Sequence, residues 1–294
     1  MKAIIPVAGK GTRLEPHTLI CQKCLLPVAG KPILEHILDR LIKYGITDIT
    51  LIIGYLGEQV REYCMGYSMA KFTFIEQSEQ LGLGHAIYQG LDQLENPVLI
   101  VLGDSILELD YKKLLSSEYS TMGVDEVPDP KRFGVVELDG DRIISVVEKP
   151  ENPPTNLALM GIYYISSQIE LAKAVEYLIK NDIRTQNEYH LTDAIGVMIE
   201  RGHIFKVLEI DDCLDCGILD TMFSTNRTLL EQGSGNAIHP TAIVKNSTIT
   251  NCTISENCSV INTQLNNVIM LSGSKVVNKH IENKIVSFNE CLSS

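Results

Sequence analysis

The chain has 294 residues, of which 45% are hydrophobic and 21% charged, a balance that marks a globular protein and not a disordered one. Its length suits one large α/β domain with a smaller appendage. The formal net charge of −12 disfavours nucleic acid and anionic membrane as partners, since both require a basic face. A small phosphorylated ligand stays compatible, because a local cluster of Lys, Arg and N–H groups, or a cation, is enough for it. No apolar run reaches the ~18 residues of a membrane span. The opening MKAIIPVAG carries one Lys and a short apolar run, so it is expected to be a first strand of a cytoplasmic protein, not a secretory leader. The eight cysteines are too sparse for a disulfide scaffold and are expected to be reduced.

In chain order, KAIIPV (2–7) reads as a strand and KPILEHILDRLIKYG (31–45) as a helix, with Ile33, Leu34, Ile37, Leu38, Leu41 and Ile42 at helical spacing. Strands follow at 48–54, 71–77 and 96–104, with helices at 57–64 and 84–94. This alternation predicts a mainly parallel sheet with helices on both faces. Ligands of such sheets sit beyond the carboxyl ends of the strands. The AGKGTR loop after the first strand and Asp104 after the fourth are then on one edge. From about 120, TMGVDEV, FGVVELDGDRIISVVEKP and ALMGIYYIS read as strands with tight turns, an antiparallel insertion and a return to the sheet. Helices are expected at 167–180, 189–202 and 216–233, with a strand at 203–210.

After Gly235 long helices vanish, and Asn, Ser, Thr and β-branched residues dominate. Ile243, Ile249, Ile254, Val260 and Leu265 recur at steps of six, five, six and five, each after a small or polar residue. A repeat near six residues predicts a short left-handed β-helix of hexapeptide type, of roughly three coils. The expected division is a catalytic domain over 1–235 and a β-helix-like domain over 236–294. A loose β-meander is the plainer alternative for the tail.

The loop GKGTRLEPHT (Gly9–Thr18) is neither a Walker A loop nor G-x-G-x-x-G, because Leu14 stands at the third glycine. It still suits phosphate: Gly9 and Gly11 admit close backbone approach, and Arg13 can fork onto phosphate oxygens. Two C-x-x-C pairs, Cys21–Cys24 and Cys213–Cys216, raise the question of a zinc or redox centre. No knuckle sequence supports zinc, and the alternative is that the residues enclosed by the pairs, Lys23 and Asp215, are the ones that matter.

Six segments in order make the chain similar to the sugar-phosphate nucleotidylyltransferases over residues 1 to about 233. KAIIPVAGKGTRLEPHT resembles that family's first motif and KCLLPVAGKPILEHIL its second. QSEQLGLGHAI resembles the base-recognition segment, and LGDS and DCG the two metal-Asp motifs. FGVVELD and VVEKP resemble the sugar-binding strands. The family's second motif usually has proline before its Lys; here Gln22 stands there and Cys24 follows Lys23.

The resemblance implies a Rossmann-like mixed sheet and transfer of a nucleotidyl group from UTP or dTTP to a sugar 1-phosphate, glucose 1-phosphate foremost. It implies Mg²⁺ on Asp104 and Asp215, Arg13 on the β- and γ-phosphates and Lys23 on the α-phosphate. It assigns Ala8, Gly9, Gly11, Thr12, Gln77 and Gly82 to the nucleotide, and Gly134, Glu148, Lys149 and Tyr163 to the sugar phosphate. Tyr163 could equally be core; Glu188 and Asp193 could touch sugar hydroxyls or cap a helix; His85 reads as structural. The partners implied are the nucleoside triphosphate, the sugar 1-phosphate and further copies of the chain, a homo-oligomer whose tail caps the domain or forms an interface. If Lys23 and Asp215 converge, the two cysteine pairs are neighbours and oxidation could inactivate the site. The rival readings are a non-catalytic regulatory relative and a bifunctional enzyme with acyl transfer, for which the tail is short.

Overall fold

The computed structural model describes residues 1–92, 94–233 and 235–288. The chain forms two compact units. The first comprises Met1–Gly9, Asp39–Gly103 and Leu107–Cys213; the second comprises Lys10–Leu38, Asp104–Ile106 and the chain from Leu214 onward.

The first unit is built on a nine-stranded mixed sheet. Its order is Lys71–Glu76, Asp48–Ile53, Lys2–Pro6, Val98–Val101, Leu157–Ile165, Ser120–Glu126, Phe205–Glu209, Arg142–Glu148 and Gly134–Asp139. The first four strands are parallel. Central parallel strands are covered on both faces, which is why KAIIP, DITLII and VLIV are nearly continuous apolar runs. Leu157–Ile165 then runs antiparallel to both of its neighbours, and Phe205–Glu209 returns parallel to Ser120–Glu126. Gly134–Asp139 and Arg142–Glu148 form the predicted hairpin at the sheet's edge. Helices Leu83–Gly90, Gln168–Lys180 and Leu191–Glu200 pack into one core with Ile4, Ile52, Val98, Ile100, Met122, Tyr163 and Phe205. Lys2–Pro6 and Val98–Val101 are parallel neighbours, so Ala8 and Gly103 leave from the same edge, as the β-α-β pattern predicts.

The second unit holds three short 3₁₀ turns, Thr12–Leu14, His17–Leu19 and Lys23–Leu25, a small hairpin, helix Leu219–Glu231 and the tail. The helix predicted from residue 31 starts at Ile33, because Lys31–Pro32 pairs with Pro27–Val28. Strands Ser105–Glu108 and Asp212–Asp215, too short to show a period, were not legible in the sequence; they pair with each other.

The tail is a stack of short parallel strands. Ile243 pairs with Ser259 and Ser259 with Lys275; Thr248 pairs with Gln264 and Gln264 with His280. The register therefore closes every 16 residues, the separation of the side-chain bonds that run between coils. Val244, Val260 and Val276 form one inward stack and Ile254, Met270 and Val286 another. The inward steps are five, five and six, not a sustained six. Ile243, expected inside, is 52% exposed; Val244 takes the inward place because successive strand residues alternate faces. Asn246, Asn262 and Asn278 stand at one corner of successive coils, and Asn251, Asn267 and Asn283 at another, all left-handed with φ near 50°. Asn tolerates that region, and its amides bond from coil to coil: Asn246 to Asn262 at 3.3 Å, Asn262 to Asn278 at 3.2 Å, Asn267 to Asn283 at 2.7 Å.

Candidate functional site

In the second unit, the Gly-rich loop turns through Gly11 at φ +64°, where a Cβ would come within 3.0 Å of Lys23 Cβ and Thr18 Cγ2. Glycine therefore lets the loop lie directly on Lys23. Thr18 Oγ1 anchors it by donating to Gly11 O at 3.0 Å. Gln22 has φ −59°, the angle a proline would impose, and its Oε1 accepts from Cys24 N at 2.6 Å. The residue replacing the family's usual proline thus keeps the same backbone and caps the turn that carries Lys23. Thr12 and Arg13 are exposed, and Arg13 makes no ion pair among the described residues.

Lys23 Nζ donates to Asp104 Oδ2 at 2.7 Å. Cys216 N donates to Asp104 O at 2.9 Å, which ties the end of the Asp215 strand to Asp104. Asp215 Oδ1 accepts from Gly217 N at 2.9 Å, and its carbonyl from Thr225 Oγ1 at 2.8 Å. Burial, then the Asp215 carboxylate, push the Cys216 thiol up; Asp104 adds to this and Lys23 opposes it. Lys23, Asp104 and Asp215 are thus brought together inside one unit. Cys21 is pushed up to about 11 by burial. Burial thus disfavours the thiolate form of both.

The first unit holds the other candidates. Ala8 O accepts from Tyr55 N at 3.1 Å and from Gln80 Nε2 at 3.4 Å, while nothing lies within 4 Å of a Cβ built on Gly9. Gln77 is buried, and its Nε2 donates to Gly82 O at 3.3 Å. Gly82 has φ +109°, and a Cβ there would stand 2.7 Å from Tyr189 O. Leu81 O accepts from Tyr189 N at 2.8 Å, and Gly84 N donates to Tyr189 O at 2.7 Å. The loop is thereby clamped to the segment leading into helix Leu191–Glu200.

Glu148, at the end of its strand, accepts from Thr192 Oγ1 at 2.7 Å and pairs with Lys149 Nζ at 3.2 Å. Gly134 lies against it: a Cβ there would be 3.2 Å from both Glu148 Oε2 and Thr192 Oγ1. Lys149 is left-handed at φ +39° and precedes Pro150, a position where the extended region is normally enforced. Tyr163 is buried in the core cluster, between Ile100 and Met122 of the neighbouring strands. Asp193 is half-buried, and desolvation holds its carboxyl above the usual range. Burial pushes His85 down, as befits a packed residue. Two contributors were missed: Thr192 and His190. Their only signal was polarity at the start of a helix that is otherwise apolar.

A divalent metal was expected on Asp104 and Asp215. Both are hard carboxylate donors, which suits Mg²⁺, and the Cys216–Asp104 backbone bond places their chain segments side by side. Among the described residues no group of three or more His, Cys, Asp and Glu side chains could hold an ion. Two carboxylates leave the remaining positions to phosphate oxygens and water, as is usual for Mg²⁺.

Parallel strands flanked by helices, with a Gly-rich loop after the first strand, are features of nucleotide-binding α/β folds. The profile of the Nucleotidyl transferase family matches residues 2–232, and the chain belongs to that family. It is 39% identical over 205 residues to the "Bifunctional protein GlmU" of Methanocaldococcus jannaschii, covering 69% of this chain and 48% of that one. The chain thus spans about half the length of that relative. It is 32% identical over 242 residues to the "UTP--glucose-1-phosphate uridylyltransferase AglF" of Haloferax volcanii, covering 79% of this chain and 98% of that one. The fold matches a crystal structure of UDP-glucose pyrophosphorylase complexed with UDP-glucose, at TM-score 0.67 and 22% identity over 79% of this chain and 99% of that one. No described helix is long and apolar enough to cross a membrane.

Proposed function

We propose that the chain transfers a nucleotidyl group from a pyrimidine nucleoside triphosphate, UTP ahead of dTTP, to glucose 1-phosphate, releasing pyrophosphate. The observation that carries the reading is the Lys23–Asp104 pair at 2.7 Å with Asp215 tied beside it, next to the Gly-rich loop. The uridylyltransferase named among the relatives supports glucose 1-phosphate and UTP.

The sugar phosphate oxygen attacks the α-phosphorus, and the bond from that phosphorus to the bridging oxygen of pyrophosphate breaks. The nucleophile is already an anion, so the residues need not remove a proton. They must align two polyanions and neutralise charge. Lys23 holds the α-phosphate and Arg13 the β- and γ-phosphates. Asp104 and Asp215 would hold Mg²⁺, which would neutralise phosphate oxygens. Gln77 and Gly82 contact the base, Lys149 the sugar's phosphate, and Glu148 its hydroxyls. The burial of Tyr163 supports packing for that side chain rather than a sugar contact.

The test is pyrophosphate release with Mg²⁺, crossing sugar 1-phosphates with the five common triphosphates. Turnover is expected with glucose 1-phosphate and UTP or dTTP, and Lys23→Ala is expected to lower kcat roughly 10²–10³-fold, as for other pre-placed donors. An inert wild type would move the chain to the regulatory class. Near-normal turnover in Lys23→Ala would remove that residue from the site.

A further inference from the structure

The mechanism above leaves one buried ring unused. His190 precedes helix Leu191–Glu200 and its side chain is 7% exposed. Its Nδ1 lies 3.5 Å from Glu148 Oε1. Its Nε2 is buried without a hydrogen bond among the described residues and stands 4.0 Å from Glu188 Oε2. A buried imidazole optimised for stability would satisfy both nitrogens. Its Nδ1 edge faces the Glu148 carboxylate.

The Glu148 carboxylate has an independent partner on its other oxygen, since Thr192 Oγ1 donates to Oε2 at 2.7 Å. Gly134 leaves the room that this arrangement needs. The backbone beside His190 is itself fixed, because Tyr189 bonds to Leu81 and Gly84 through its N–H and carbonyl. One short segment, 189–192, therefore reaches the loop of Gly82 with its backbone and Glu148 with its side chains.

We propose that His190 is a positioning residue: with Thr192 it holds the Glu148 carboxylate in the single orientation that receives the sugar hydroxyls. This rests on the functional reading above. Glu148 has soft side-chain torsions and a flexible cationic neighbour, Lys149, at 3.2 Å. Lys149 already pairs with the oxygen that His190 faces, Oε1; without the ring that flexible side chain is its one remaining holder among the described residues, and the carboxylate can follow it away from the sugar. The effect falls on capture of the sugar phosphate, not on the nucleotide, because the loop of Gln77 and Gly82 is tied to His190's segment by backbone bonds of Leu81 and Gly84 to Tyr189, which a change of the His190 side chain leaves in place.

The experiment compares wild type, His190→Ala, His190→Asn and Thr192→Val in steady-state kinetics with the best sugar 1-phosphate. His190→Ala is expected to raise the KM for sugar 1-phosphate about 10-fold, the scale of one bond to a charged group, with the KM for the triphosphate within about twofold. His190→Asn, which keeps a polar atom near the Nδ1 position, is expected to recover most of the loss. In a Glu148→Gln background, removing the His190 ring should add little further effect. An unchanged sugar-phosphate KM in His190→Ala, or equal rises in both KM values, overturns the proposal. Should His190→Ala fail to fold, Thr192→Val, which removes the other holder of the carboxylate, carries the KM comparison: a rise in the sugar-phosphate KM alone is expected, and an unchanged value overturns the proposal. A wild type inert with every sugar 1-phosphate sinks the functional reading itself, whereas an active wild type with an unmoved His190→Ala sinks only this inference.

Discussion

Gln22 shows how much one residue's backbone angle decides. The family resemblance puts proline there, and Gln22 adopts the proline φ while its amide caps the next turn. Lys23 is thus presented to Asp104 without the proline. The chemistry at this scale is also legible in the thiols. Cys21 is pushed up to about 11, so at pH 8 only about one thiol in a thousand is the reactive thiolate. Alkylation of the Cys21 peptide, followed by mass spectrometry, should speed up about tenfold per pH unit from 7 to 10. A plateau near pH 9 would refute the buried-thiol account. The sequence marked Arg13, Lys23, Asp104 and Asp215 through the resemblance of their short segments to the family's motifs. It did not mark His190 and Thr192, because their partner, Glu148, is more than forty positions away and no local pattern records such a contact.

At the scale of elements, periodicity was readable wherever an element was long. The apolar strands and the amphipathic helices stand within a few residues of their expected bounds. Ser105–Glu108 and Asp212–Asp215 were missed, since four residues hold no period. One side chain that joins three segments of the second unit is Asn226, fully buried on helix Leu219–Glu231. Its Oδ1 accepts from Ala29 N at 2.9 Å and Thr253 Oγ1 at 2.6 Å, and its Nδ2 donates to Asn251 O at 3.3 Å. Asn226→Ala orphans three polar groups at once. A loss of about 1–3 kcal/mol or more in unfolding free energy is expected, measured by urea titration. A change below about 0.5 kcal/mol would mean that water replaces the amide without cost.

For the whole molecule, the β-α-β order predicted a mainly parallel sheet, the turn-linked strands after 120 an antiparallel insertion, and the composition after Gly235 a repetitive tail. The grouping of segments was not legible, because Lys10–Leu38 belongs with the tail through contacts distant in sequence: Gly30 sits where a Cβ would be 2.9 Å from Ala237 Cβ. Removing the tail is therefore expected to lower the melting temperature of the remaining chain by several degrees, read by calorimetry, and not merely to trim an appendage. An unchanged transition would show that residues 1–235 stand alone. The sixteen-residue closure of the coils has a consequence for how this tail can change over time. Inserting or deleting sixteen residues restores every inward valine and every corner asparagine to its column. Inserting six turns core residues toward water. Length in this tail is thus inherited in discrete quanta, and viable descendants should differ by whole coils.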